Sequence, residues 1–175
     1  MKISMLFSCA ALAPFLLEPG CGYHVSGHGD ALPKTIKTIA VPAFKNATTR
    51  YTLTNELPAA ITREFISRTR YAVAADPNAA DAVLNGSIVK YDAYPTAFDP
   101  VTGRATLVLV FVHLQFSLTD RATGDVLYSR PDLEVRERYE ISTDPRAYVE
   151  ESDAAMDRLS KSVATQVVSA ILEKF

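Results

Sequence analysis

The sequence predicts an α+β two-layer sandwich: a four-stranded mixed sheet carrying two helices, in the order β-α-β-β-β-α. Three observations predict it. Val108, Val110, Val112, Leu114, Phe116 and Leu118 alternate without a break, the period of a long strand with one apolar face. Leu53-Leu57-Ile61-Phe65 and Ser152-Met156-Leu159-Val163-Val167-Ile171 repeat at helical spacing instead. The apolar fraction of 48% and charged fraction of 22% are those of a chain that buries one core, not of a disordered one.

Taken in order, Ile36 to Phe44 reads as the first strand, with Pro42 near its end, where an edge or bulge tolerates it. Lys45 to Thr49 is a polar loop. The first helix follows, with Asn55 as its expected cap and Pro58 in the first turn, where the missing amide proton costs little. Asp76-Pro77-Asn78 breaks the chain. Val83 to Tyr91 is the second strand, and Gly86 within it signals a bulge or a close backbone approach. A long turn runs from Tyr94-Pro95 to Gly103. The third strand has a second face that is apolar at Leu107, Leu109 and Phe111 and polar from His113 to Thr119, which predicts cover on both sides at one end only. Asp120 to Asp125 is a tight hairpin. The fourth strand starts at Val126, is interrupted at Arg130-Pro131, and resumes with Leu133, Val135, Tyr139 and Ile141 on one face. Asp132, Glu134, Arg136, Arg138 and Glu140 take the other, solvated face. Asp144-Pro145 opens the last helix as cap and first position, and the apolar stripe then runs from Tyr148 to Ile171.

The chain before this domain has a different character. Lys2 is the only charge before Glu18, and Met5 to Leu17 is almost wholly apolar, interrupted by Pro14. That is the length of a secretory h-region and is short of the roughly 20 residues of a spanning helix. Residues 1–20 are therefore expected to be a signal peptide. Of the two cysteines, Cys9 leaves with it and Cys21 becomes the first mature residue. Gly20-Cys21-Gly22 resembles a bacterial lipobox, although Glu18 and Pro19 replace its usual apolar and small residues. Leu6-Phe7-Ser8-Cys9 is a rival box that leaves almost no h-region. Cys21 is thus the expected lipidation site, on a glycine-rich tether spanning 21–34, followed by a single domain over 35–175. Two or three acyl chains hold a protein to a membrane firmly where one holds marginally.

Catalytic chemistry is not visible. His24 and His28 with Asp30 have metal-ligand spacing only on a helix, which Gly27 and Gly29 disfavour. His113 has no nucleophile pattern near it, and Asn85-Gly86-Ser87 is no nucleophile elbow. No catalytic residue, metal or cofactor is assigned. With 18 basic and 20 acidic residues and no basic block, a nucleic-acid partner is not expected.

Several segments in order resemble the lipopolysaccharide-assembly lipoprotein family, LptE-like. Cys21-Gly22-Tyr23-His24-Val25, Ile36 to Pro42 and Phe44-Lys45-Asn46 are similar to its start. Ala80-Asp81-Ala82-Val83-Leu84-Asn85-Gly86-Ser87-Ile88 resembles its second strand, and Asp120 to Leu127 its last hairpin. The resemblance implies an outer-membrane lipoprotein on the periplasmic face. It would plug a large LptD-like β-barrel and assist lipopolysaccharide to the outer leaflet. Lipid A carries phosphates, so Arg104, Arg136 and Arg138 are the expected lipopolysaccharide contacts. The alternatives are another outer-membrane lipoprotein belonging to a secretion channel, whose first strand also reads apolar-Val-Pro-x-Phe, or a periplasmic enzyme.

Overall fold

A computed structural model of the protein describes residues 32–141 and 145–173. The signal segment, Cys21, His24, His28, Asp30 and the expected cap Asp144 lie outside the described residues. Within them the chain forms β1 (Thr38–Ala40), β2 (Lys45–Asn46), α1 (Leu53–Arg68), β3 (Ala72–Ala74), β4 (Ala82–Phe98), β5 (Ala105–Asp120), β6 (Val126–Glu140) and α2 (Pro145–Leu172), with a 3-10 turn at Pro77–Ala79.

The α+β class and the two helices on one mixed sheet are as expected, but the sheet has six strands rather than four. Its order is β3-β1-β4-β5-β6, and β2 pairs with β4 further along that strand. Two causes account for the difference. The segment expected as one strand from Ile36 to Phe44 divides around Pro42, which has no N–H for a ladder. Its two parts pair with β4 separately, Ile39 opposite Ala82 and Lys45 opposite Ser87. The other addition, Ala72–Ala74, is too short to carry a period. It pairs parallel to β1 through the α1 crossover.

The first helix begins two residues before its expected cap. Thr52 precedes it without a side-chain cap bond, and the Asn55 amide donates to the Thr52 carbonyl. Pro58 therefore stands inside the helix, where it deprives the Thr54 carbonyl of its usual donor. The Phe44 amide fills that place at 3.1 Å, tying the β2 segment to the helix.

The three long strands are antiparallel, and one face of them is the core. Leu84 and Ile88, the Val108 to Leu118 row, and Leu133, Val135 and Tyr139 are buried together with Leu57, Ile61 and Phe65 of α1 and Leu159, Val163 and Val167 of α2. At 1.5 Å per residue α2 extends about 42 Å and overlies this face. Arg158 of α2 reaches Glu137 of β6 at 3.1 Å, while Arg68 and Ser169 link the helices at 3.0 Å.

Three expectations on the long strands change. Strand β4 runs on through Tyr94 and Pro95 to Phe98, so the expected long turn keeps only its Asp99 to Gly103 part. Pro95 is tolerated because β4 has no partner on its other side beyond Ile88 among the described residues. The Arg130-Pro131 interruption is a bulge within β6: Leu114 faces Leu133 while Phe116 faces Arg130. Finally, Leu107, Leu109 and Phe111 are only half-buried, and neither helix covers their face.

Gly86 is a close approach, and the irregularities of β4 fall at Val89 and Thr96 instead. The Phe44 ring lies where a Gly86 Cβ would project, 2.4 Å from its nearest carbon. The Ala80-Asp81 pair is a latch. Both the Lys37 and Thr38 amides donate to the Asp81 carboxylate at 2.9 Å. Those two bonds, in that order, hold it below the usual carboxylate range. Arg121 Nε donates to the Ala80 carbonyl at 2.7 Å.

Candidate functional site

The uncovered sheet face is the surface with chemistry to offer. Its residues follow from strand period: Lys90, Asp92 and Tyr94 on β4; Leu107, Leu109, Phe111 and His113 on β5; and Glu134, Arg136, Arg138 and Glu140 on β6. Register pairs Tyr94 with Leu109, Leu109 with Arg138, and Phe111 with Arg136.

The end of this face next to the β4–β5 turn is apolar and cationic. The Tyr94 and Phe111 rings meet edge-on with centroids 5.8 Å apart, and the Arg136 guanidinium lies 5.2 Å over the Phe111 ring. Tyr94 on this face is 50% exposed, and Phe98 (59%) and Val101 (91%) are exposed at the tip beyond it. Arg136 Nε also pairs with Glu134 at 2.6 Å, so part of its charge is already met. Arg138 and Arg104 make no side-chain ion pair among the described residues.

The turn itself is rigid. Asp99 accepts the Val101 amide at 2.9 Å, the Thr102 amide at 2.6 Å and the Thr102 hydroxyl at 3.0 Å. These bonds, led by the Thr102 amide, keep its carboxyl below the usual range. Gly103 has φ of 67° and closes the turn. The β5–β6 turn repeats the pattern, with Asp120 accepting from Ala122 and Thr123 and Gly124 at φ of 78°. Arg104 thus projects from an ordered corner.

Of the three expected arginines, Arg136 and Arg138 come together on one face, two residues apart on β6. Arg104 does not join them. It lies five residues beyond Leu109, the partner of Arg138, or about 17 Å along the strand. The three make a line from tip to mid-sheet rather than one cluster. The sequence expectation of a turn beginning at Tyr94-Pro95 missed Tyr94 as a residue of this face. The signal was present in the outward alternation of Tyr94 with Leu107, Leu109 and Phe111.

The middle of the face is charged and internally matched. His113 lies 3.3 Å from Asp132 and 3.4 Å from Glu134, and Lys90 2.6 Å from Asp92. Among the described residues no set of His, Cys, Asp and Glu side chains has a metal-holding arrangement, and no helix is long and apolar enough to cross a membrane. What the geometry offers is a surface on which apolar area adjoins cations that have no ion-pair partner among the described residues.

Residues 36–171 match the model of a family described as LptE, lipopolysaccharide-assembly. No curated protein matches the chain. Among solved structures it is similar to lipoprotein B from Nitrosomonas europaea, with 14% identity and a TM-score of 0.55, covering 86% of this chain and 90% of that one. It is also similar to rare lipoprotein B from Shewanella oneidensis, with 12% identity and a TM-score of 0.52, covering 78% and 95%. A PelC dodecamer from Paraburkholderia phytofirmans shares the fold too, at 20% identity and a TM-score of 0.51, covering 82% and 94%.

Proposed function

This chain belongs to the LptE lipopolysaccharide-assembly family, and on that premise we propose that it is an outer-membrane lipoprotein that binds lipopolysaccharide while seated in a large LptD-like β-barrel. Its role is binding and support rather than catalysis. Cys21 carries the acyl anchor, and the barrel lumen receives the domain. A lumen of porin type is polar, and the mixed charges of Glu134, Arg136, Arg138 and Glu140 suit it better than a greasy exterior would.

The observation that carries the reading is that exposed Tyr94 and half-buried Leu107, Leu109 and Phe111 share one sheet face with Arg138, and that the turn closing this end carries Arg104. Lipid A presents the same pair of features, acyl chains next to phosphates. Apolar area of this kind is favoured off water at about 25 cal/mol per Å². The arginines add charge-assisted bonds to phosphate.

Pull-down of lipopolysaccharide by the mature protein tests it. Arg104→Asp and Arg138→Asp are each expected to weaken capture severalfold, and together more. Unchanged capture by the double variant overturns the site. Photo-crosslinking from position 98 in intact cells is expected to label one large β-barrel. Labelling of copies of this chain alone would favour a secretion-channel assembly.

A further inference from the structure

The same sheet face holds a groove at its other end, about 430 Å³ in volume. Register places Lys45 opposite Ser87, Ser87 opposite Gln115, and Asn85 opposite Ser117. Ser117 in turn faces Ser129 across the β5–β6 pair. Facing residues share a side of the sheet, so these side chains form two rows, about 4.8 Å apart between strands and about 7 Å along them.

Two properties set this groove apart from the rest of the face. The side chains of Asn85, Ser87, Gln115, Ser117 and Ser129 hydrogen-bond to no described residue, so a ligand would compete there with water and not with the protein's own groups. The charges at its margin are of one sign. Lys45 and Arg130 line the groove, no carboxylate does, and neither cation is in an ion pair among the described residues. Arg130 Nε donates only to the Asp132 carbonyl, at 3.1 Å, which fixes the direction of the side chain. The contrast with mid-face is sharp, where His113, Lys90 and Arg136 all have carboxylate partners.

We propose that this groove binds the phosphate-bearing oligosaccharide of lipopolysaccharide, with Lys45 and Arg130 on its phosphates and the amide and hydroxyl rows on its sugar hydroxyls. The assignment rests on reading the chain as a lipopolysaccharide-binding lipoprotein. It shares no residue with the arginine and aromatic end. Along β5, Ser117 lies six residues from Phe111, about 20 Å. One amphiphile laid along the face would therefore meet apolar surface at one end and a hydroxyl-binding grid at the other. An acidic protein segment suits the groove less well, since protein hot spots centre on large side chains in pockets and the groups here are small and polar.

The test uses the mature lipoprotein in detergent, titrated separately with three ligands. They are deacylated phosphorylated core oligosaccharide, the same oligosaccharide after phosphatase treatment, and lipid A lacking core sugars. The wild type is expected to bind the first, and the second at least about tenfold more weakly. Lys45→Glu with Arg130→Glu is expected to abolish binding of the first while leaving lipid A within twofold. Ser87→Ala with Gln115→Ala, which keeps the charges, is expected to weaken both oligosaccharides alike. All four residues are at the surface, and an unchanged melting temperature verifies folding. Lipid A binding without oligosaccharide binding, or oligosaccharide binding indifferent to both variants, overturns the groove alone. Loss of an acidic protein partner in the charge variant, with oligosaccharide binding intact, also overturns it. Binding of none of the ligands, nor of whole lipopolysaccharide, overturns the functional reading as well.

Discussion

Replacing Gly86 by alanine tests the contact on which the centre of the sheet closes. The new Cβ would stand 2.4 Å from Phe44 Cε2 and 2.5 Å from Cζ. Carbon atoms pack at about 3.5–4.0 Å, so the ring must withdraw by about 1 Å. Phe44 is 2% exposed within the core cluster, and its backbone amide is held by the Thr54 carbonyl, so there is no free direction for the ring. Overpacking of this kind costs about 1–3 kcal/mol. The lower entropy of the unfolded alanine chain offsets roughly 0.4–1 kcal/mol of it. A net loss of about 1–2 kcal/mol corresponds to a melting temperature lower by roughly 3–10 °C for a domain of this size. The cause is isolated by a cycle. Phe44→Leu alone should destabilise by leaving a void. In the Gly86→Ala background it should cost less, because the smaller side chain relieves the clash, with a coupling of about 1 kcal/mol. Thermal and urea unfolding of the four proteins measures it. An unchanged melting temperature for Gly86→Ala, or strict additivity in the double variant, refutes the close-packing account.

Asp81 and Asp99 make stability depend on acid. Each has a native pKa below its unfolded one, so their contribution is complete above the unfolded value and is lost as pH falls through the native value. Asp81→Asn is expected to flatten the acid limb of melting temperature against pH, and an unaltered limb would show the latch to be idle. Ser160 is buried with its Oγ unpartnered among the described residues, so Ser160→Ala should be neutral or stabilising by up to about 1 kcal/mol in urea unfolding. A clear loss there would reveal a hydrogen bond to Ser160. Glu134→Gln removes the carboxylate that competes for Arg136, and should tighten lipopolysaccharide binding by about two- to fivefold at low salt. No change would take Arg136 off the binding surface.

The elements with long, unambiguous periods were legible in the sequence, and the short ones were not. The Val108 to Leu118 row dictated β5 because six alternating apolar side chains have no other burial. The α2 stripe was equally plain. Ala72–Ala74 was invisible, because three small residues satisfy any period and become a strand only through the ladder that β1 offers. Pro58 misled in a different way. Its position suggested a helix start nearby, yet the helix accommodates it because the Phe44 amide serves the carbonyl it leaves free, a tertiary contact no local rule contains. For the site, the arginines were legible as residues but not as an arrangement. Assigning Tyr94 to Phe98 to a turn hid the aromatic end, and reading Leu107 to Phe111 as covered hid the face itself. The polar groove was the least legible. Its residues come from four strands, and register alone brings them together.

A fold shared with a dodecameric protein and with rare lipoprotein B does not say how this chain assembles. The distribution of satisfied and unsatisfied groups is more informative. At mid-face the charges answer one another, Glu134 standing between His113 and Arg136 and Asp92 beside Lys90, so a partner gains little there and would have to disrupt existing pairs. Both ends differ. One exposes aromatic area beside Arg138 and a turn closed by Asp99 that carries Arg104, and the other exposes amides and hydroxyls beside two cations without ion-pair partners among the described residues. The outer edge of β6 is interrupted at Pro131 by the bulge, which blunts it as a template for adding strands. Docking by face is thus favoured over docking by edge. A face with two receptive ends about 20 Å apart and a self-contained middle selects for a long ligand of two chemistries over a flat, uniform protein surface.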